Sequence, residues 1–587
     1  MSSIPSPSQR AWDAFLLSRF GAADQTSCGA AGFEARAALL DLELEILQDP
    51  RTLASARRLR NSSNPAYSLA SEVLTHVLWF SQANWAPRQD WEACNGDIGW
   101  IALCHVCSRW REVALSTPSL WCDLGCYGLA IRAIPTILAR SRQNKLRLFF
   151  LGIDHVDGSD SDDIPTIWMS PPICQRTSEL VVAESMVRFL EIWIPLLRTS
   201  MPTLTRLVVN VKMAPRTSEE IVLPSEMLGS AHLSVVDLLD CHLPWQSQLF
   251  NAASLTRLRL QSINPPDPSR LPSFLQLCDV LNRAPALEDL TLSNIFPTFS
   301  DQRVTVDATA VRLPSSLTDL ALSASPAAVR DCLNTLLSLA LPIKTRARFF
   351  AALGTGAEPS LMARIISHFF SSPPDEPLEL HIRSRYLVLS WSKSWLAGDS
   401  ECGIEWPKSK FCKGERRLSI AGEDGEEDTE HEDGSGSSFM SHLTLLPMDQ
   451  LHRLAITSDA MRALSNPDAW RTAFQKAVNV HNLALHFTRE SIPLLCVLAE
   501  TSGNGSTHKI QLLPNLTVIA LFRDVAEDDA EVCMSDSDSV RLQISLANLL
   551  HTRARVGTPL EALRVQPGLL EEDTLHSLME LANITNF

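Results

Sequence analysis

Leu255-Thr-Arg-Leu258-Arg-Leu260, Leu287-Glu-Asp-Leu290-Thr-Leu292 and Leu317-Thr-Asp-Leu320-Ala-Leu322 are copies of one short phrase. Two earlier copies are Leu204-Thr-Arg-Leu207-Val-Val209 and Leu233-Ser-Val-Val236-Asp-Leu238, and later ones start at Leu451, Val480, Leu516 and Leu560. The end of the phrase alternates apolar and polar residues, the pattern of a short strand with one buried face. Between copies lie helical runs such as Phe274–Asn282 (FLQLCDVLN). A strand–helix unit of this size cannot bury its apolar face alone, so neighbours must stack. The expectation is a row of parallel strands over residues 140–587, with an ordinary α/β domain rich in Leu strands as the competing reading.

The early copies start 22–32 residues apart, a leucine-rich-repeat period. The repeat is irregular, and Cys241 is expected to fill the Asn/Cys position that follows the strand in regular repeats. Residues 343–400 leave the rhythm. Lys344–Phe370 reads as one or two helices, Ser371–Pro377 as a loop, and Leu378–Ile382 and Tyr386–Leu389 as strands. Residues 422–438 (GEDGEEDTEHEDGSGSS) and 524–539 are acidic insertions expected to be disordered by self-repulsion and lack of apolar residues. Ser535, Ser537 and Ser539 stand among acids in the second.

The chain has 587 residues, too many for one core, and a net charge of −16, which argues against a nucleic-acid partner. Its 14 cysteines form no even framework, the mark of a reducing compartment, cytoplasmic or nuclear. The opening run is interrupted by Asp13 and Arg19 and makes a poor signal peptide, and no apolar window is long enough to span a membrane. Residues 1–32, rich in Ser, Ala, Pro and Gly, read as a disordered N-terminus. Residues 33–60 read as amphipathic helix: Ala37, Leu40, Leu44 and Leu47 share a face, Asp49-Pro50 breaks it, and a basic helix Arg51–Arg60 follows.

Residues 62–125 form a separate small helical module. Leu69, Val73, Leu74, Val77 and Leu78 make one stripe on a first helix. Residues 81–97 read as a loop, with Asn95 or Asp97 capping the next helix. In that second helix Leu103, Cys107, Trp110 and Ala114 keep a 3.6-residue period, and Ile101, Val106 and Val113 widen the apolar face. Thr117-Pro118 stops it, and Leu120 and Trp121 fold back on both helices. Two such helices carry more apolar surface than they can bury on each other, which implies a partner or packing on the following body.

This module resembles the F-box of a large fungal F-box family. Members usually begin the box Leu-Pro-Pro-Glu, where this chain has Leu69-Ala70-Ser71-Glu72. Val106-Cys107, Arg109-Trp110-Arg111-Glu112, Pro118 and Leu120-Trp121 fall in the family's order and spacing. The resemblance implies docking to the Skp-type adaptor, and so to the cullin, of an SCF ubiquitin ligase. The residues it carries over are Leu69, Glu72, Val73, Leu74, Val77 and Leu78 on the first helix, then Ile101, Val106, Cys107 and Trp110, with Leu120 and Trp121 closing the module. Sequence does not divide these between adaptor contact and internal core, although Trp121, behind the proline stop, reads as core.

No catalytic constellation emerges. Cys104-His-Val-Cys107 has metal-like spacing but no second pair, and it reads as part of an amphipathic helix. Gly354-Thr-Gly356 lacks the rest of a phosphate loop, and there is no G-x-S-x-G or H-E-x-x-H. The sequence therefore predicts a non-enzymatic protein without cofactor or metal. Its fold class is α+β, or α/β repeat: a short all-α F-box module followed by an irregular leucine-rich-repeat-like solenoid of strand–helix units. Its expected function is that of the substrate receptor of an SCF-type ligase, the target being held by the repeat domain. The alternative is a scaffold protein with a degenerate box.

Overall fold

The structure is a computed structural model. It describes residues 7–16, 50–62, 64–87, 98–152, 163–212, 221–224, 232–251, 253–299, 311–342, 344–352, 378–382, 386–391, 416–421, 446–464, 466–502, 508–523, 536–570 and 572–586, with a few isolated positions between them. The expected face Ala37–Leu47, the caps Asn95 and Asp97, the loop Ser371–Pro377, Gly354 and Gly356, the acidic residues 422–438 and residues 524–535 lie outside these. The fold is mixed α/β with a large, mainly parallel sheet. The chain divides into two compact units, Met1–Thr217 with Glu226–His232, and Ser218–Ser225 with Leu233–Phe587.

In the first unit, helices α1 (Pro7–Leu16) and α2 (Pro50–Ser62) precede α3 (Ser71–Asn84) and α4 (Ser108–Ser116). Helix α1 corrects the expectation of a wholly disordered N-terminus: in PSQRAWDAFL the apolar residues Trp12, Phe15 and Leu16 recur at helical spacing. Strands β1 (Asp123–Gly125), β2 (Leu146–Leu151), β3 (Thr177–Ser185) and β4 (Arg206–Lys212) then pair in parallel, each with the next. Leu148, Phe150, Leu180, Val182, Leu207 and Val209 are fully buried on the inward face. On the other face Asp123, Arg147, Glu179 and Arg206 stand in one cross-strand row. Arg147 pairs with Asp123, and Arg206 Nε lies 3.2 Å from Glu179. Such partly exposed pairs fix register more than they stabilise.

The same unit encloses a polar group. Glu184, at the end of β3, is fully buried. The Tyr127 hydroxyl donates to its Oε2 at 2.5 Å, and Arg188 Nε stands 3.5 Å from its Oε1. Burial, reinforced by the carboxylate, pushes the Tyr127 phenol well above its usual range. Gly152 borders this group, and a Cβ there would stand 2.5 Å from Glu184 Oε1.

In the second unit, β5 (Val235–Leu239), β6 (Arg257–Gln261), β7 (Asp289–Ser293), β8 (Asp319–Ala324) and β9 (Arg346–Ala352) are successive parallel neighbours. Over residues 346–352 strand β9 corrects the helix expected within Lys344–Phe370, while Arg364, Ile366 and Ser367 are helical as expected. Ala347, Phe349 and Ala351 are buried at period two, which is a strand's period, and the segment pairs on both sides. Its second neighbour is β12 (Arg416–Ala421), reached past β10 (Leu378–Ile382) and β11 (Tyr386–Trp391). Strand β11 runs antiparallel to both β10 and β12, so the departure from rhythm read in the sequence is a local reversal within the sheet. Parallel pairing resumes from β10 to β13 (Leu451–Ile456), β14 (Asn482–His486), β15 (Val518–Phe522), β16 (Ala562–Val565) and β17 (Ile584–Asn586).

The phrase now has a physical content. Its first Leu is buried and precedes the strand, as at Leu255, Leu287 and Leu317. The threonine beside it ties one copy to the previous one. Thr256 Oγ1 donates to Ser234 O, Thr318 Oγ1 to Glu288 O and Thr517 Oγ1 to His481 O, at 3.0, 3.0 and 3.3 Å. At the strand exit, Asp240 (φ 55°) and Asn294 (φ 57°) take left-handed backbone, which short polar side chains tolerate. Asn294 Nδ2 donates to Ser262 O and Ile263 O at 2.9 and 3.0 Å, while its Oδ1 accepts the Ser325 amide at 2.7 Å. Asp240 Oδ1 likewise accepts the Ile263 amide at 2.7 Å. The bridging position expected at Cys241 is therefore Asp240, one residue earlier. Cys241 is buried and instead pairs with Ile221 in a two-residue bridge.

Helix α5 (Phe274–Arg283) matches the predicted run and carries a full capping box between Ser273 and Gln276. Helix α6 (Asp536–Val556) begins inside the expected acidic insertion, so residues 536–539, with Ser537 and Ser539, are helical, not disordered. Acidic residues suit a first helical turn. Among the described residues no helix is long and apolar enough to cross a membrane.

Candidate docking face

The module over residues 62–125 is built by a short strap, two helical segments and a tryptophan lock. Asn64 caps a turn, Pro65–Ser68, by accepting the Ala66 amide at 2.9 Å. Leu69 and Ala70 follow in extended backbone, φ/ψ −56/140° and −58/148°, and deliver the chain into α3. Two side chains from α4 hold the strap. Arg109 Nη2 donates to Leu69 O at 2.7 Å with its guanidinium 5.6 Å from the Tyr67 ring, and Trp110 Nε1 donates to Ala66 O at 3.3 Å.

The expected second helix is two pieces. Gly99–His105 is a 3-10 turn, Cys107 is extended (φ −159°, ψ 171°), and α4 starts only at Ser108. Cys104 and Cys107 thus do not share one helix face. Arg111 ties the pieces, its Nε donating to Cys104 O at 3.0 Å. Burial pushes the Cys104 thiol upward, which suits a packed side chain and not a ligand. Gly99 (φ 56°) is required where the chain returns: a Cβ there would lie 2.6–2.7 Å from the Trp85–Pro87 backbone.

Trp121 is the lock. It is 1% exposed, donates Nε1 to Ala114 O at 2.8 Å, lies 5.1 Å from the Trp100 ring and carries Arg140 at 4.4 Å over its face. Gln82 Nε2 joins α3 to the same turn through Leu120 O and Asp123 O, at 2.9 and 3.3 Å.

Burial now divides the twelve residues that the sequence brought forward. Leu74, Leu78, Leu120 and Trp121 are internal core. Leu69, Val77, Ile101, Cys107 and Trp110 are half-buried, and Glu72 is exposed. Val73 and Val106 are 46% and 56% exposed, free to meet a partner. Sequence reasoning missed Phe80, 74% exposed, which continues the outward line of Val73 and Val77 at i+7. Its signal was present in LASEVLTHVLWF, but the loop was expected to begin at residue 81, whereas α3 runs to Asn84. Arg109 was also missed as a site residue, because its role is to bind backbone, which leaves no side-chain pattern.

Compared with known proteins, the chain matches no family model and no curated protein.

Proposed function

We propose that this chain is the substrate-recognition subunit of an SCF-type cullin–RING ubiquitin ligase. The F-box-like module docks to the Skp-type adaptor and through it to the cullin. The strand–helix body is an irregular leucine-rich-repeat-like solenoid that holds the target protein. The reading is supported above all by the two sides of α3: Leu74 and Leu78 serve the module's own core while Val73, Val77 and Phe80 line the other side with apolar surface. Such a subunit performs no chemistry. It raises the effective concentration of a target lysine at the charged ubiquitin-conjugating enzyme, in the cytoplasm or nucleus.

The test is binding of the full chain to purified Skp-type adaptor. Val73→Asp with Phe80→Asp should weaken binding at least 100-fold, because charge is introduced where apolar surface must be desolvated. These positions separate contact from folding, which Leu74 cannot do. A wild-type chain that does not bind the adaptor, or a double variant that binds as well as wild type, defeats the receptor reading and leaves that of a scaffold.

A further inference from the structure

Arg109 and Trp110 both spend their donors on the backbone of the strap that enters α3, not on side chains. The joint they secure, Leu69–Ala70, is extended: Ala70 provides no side-chain cap, and the helix begins with the Leu74 amide on Ala70 O at 3.0 Å. Leu69 is half-buried and Val73 lies one turn beyond, so the angle of this joint sets where both stand on the docking face.

We propose that Arg109 is a positioning residue for partner docking: its bond to Leu69 O, supported by the Trp110 bond to Ala66 O, holds the Asn64–Ala70 strap in the geometry that presents Leu69 and Val73. The claim rests on the docking reading above and adds how its affinity is set. The backbone itself supplies an independent way to hold the joint. Ala70 at φ −58° matches the fixed φ of proline, Leu69 at ψ 140° is compatible with a following proline, and Ser71 is the first helical residue, where proline is favoured. Prolines at 70 and 71 should do by covalent restraint what Arg109 does by a hydrogen bond.

The experiment measures adaptor binding by the full-length chain, together with hydrogen exchange of peptides covering residues 64–76. Arg109→Gln should raise the dissociation constant about tenfold, which equals about 1.4 kcal/mol, and speed exchange in the strap. Adding Ala70→Pro and Ser71→Pro to that variant should recover at least threefold of the lost affinity and restore slow exchange. A residue that only supported folding would not be rescued by prolines 39 and 38 positions away. Binding by Arg109→Gln within twofold of wild type overturns the proposal, as does a loss that the prolines leave intact. Should the wild type fail to bind the adaptor, the docking reading fails by itself. The exchange data then decide the strap: unchanged exchange in Arg109→Gln refutes the clamp, and accelerated, proline-reversible exchange upholds it.

Discussion

Asp240→Asn should stabilise the second unit at neutral pH and do nothing for it in acid. Asp240 is 6% exposed at a left-handed strand exit. One carboxylate oxygen accepts the Ile263 amide at 2.7 Å and the Ser262 hydroxyl at 3.4 Å. The other, Oδ2, is buried and has no hydrogen-bond partner among the described residues. Burial raises the acid's pKa above its ordinary value of 3.8, more than the Ile263 and Ser262 bonds lower it. The unfolded chain therefore releases this proton at lower pH than the folded one. Between the two values the folded state holds more protons, so stability falls as pH rises from about 4 to the raised folded value, then stays level. Asparagine removes the charge, keeps the Oδ1 acceptor and tolerates the backbone, as Asn294 does at φ 57°. An unsatisfied buried polar atom costs about 1–3 kcal/mol and more when charged, so a gain of about 1 kcal/mol at pH 7 is expected. Urea unfolding at pH 7 and pH 3.5, followed by a probe in the second unit, measures it. A lower stability for the variant at pH 7, or the same gain at both values, would refute the argument that a buried charge is the cause.

Gly152→Ala puts a methyl against the Glu184 carboxylate and should destabilise the first unit by about 1–3 kcal/mol; calorimetry would show a lowered transition, and an unchanged one would mean that Glu184 moves freely. Trp121→Phe keeps the ring beside Trp100 but removes the donor to Ala114 O. It should cost about 1–2 kcal/mol, read from denaturant unfolding of the first unit. Arg553 is fully buried on α6 and donates to the carbonyls of Leu513, Pro514 and Leu516, while burial lowers its pKa to about 10. Arg553→Met orphans those carbonyls and should cost about 2–4 kcal/mol despite removing a buried charge. Stability equal to wild type would show that the carbonyls find other donors.

The strands of the repeated phrase were legible because a strand's period of two is local. Leu258, Leu290 and Leu320 recur on one face whatever their neighbours do. Strand β9 was not legible for the opposite reason. Arg-Ala-Arg-Phe-Phe-Ala-Ala has helix-tolerant residues, and its strand state rests on the pairings with Asp319–Ala324 and Arg416–Ala421, the second more than sixty residues away. The bridging residue was misplaced by one because the sequence shows the small polar types but not the positive φ that selects among them. Asp240 and Asn294 stand seven residues after Leu233 and Leu287, and that common offset was the available signal.

The module shows a related limit. A 3.6-residue period through Leu103, Cys107, Trp110 and Ala114 suggested one helix because Ala114 is buried and the other three are half-buried. The break at Cys107 leaves that periodicity nearly intact while changing what the segment presents. In a continuous helix Val106 would sit among the residues flanking Leu103 and Trp110; at the junction of a 3-10 turn and α4 it stands 56% exposed. Ending the first piece at His105 also lets Arg109 and Trp110, in the first turn of α4, reach the strap at Ala66 and Leu69. One interruption thus both exposes an apolar side chain and fixes the entry to α3 beside it. A helix straightened through residue 107 would forfeit both, so a substitution that favours helix there, such as Cys107→Ala, should weaken docking more than it weakens folding. Adaptor binding compared with the unfolding midpoint of the same variant would show it, and a fall in the midpoint with unchanged affinity would count against it.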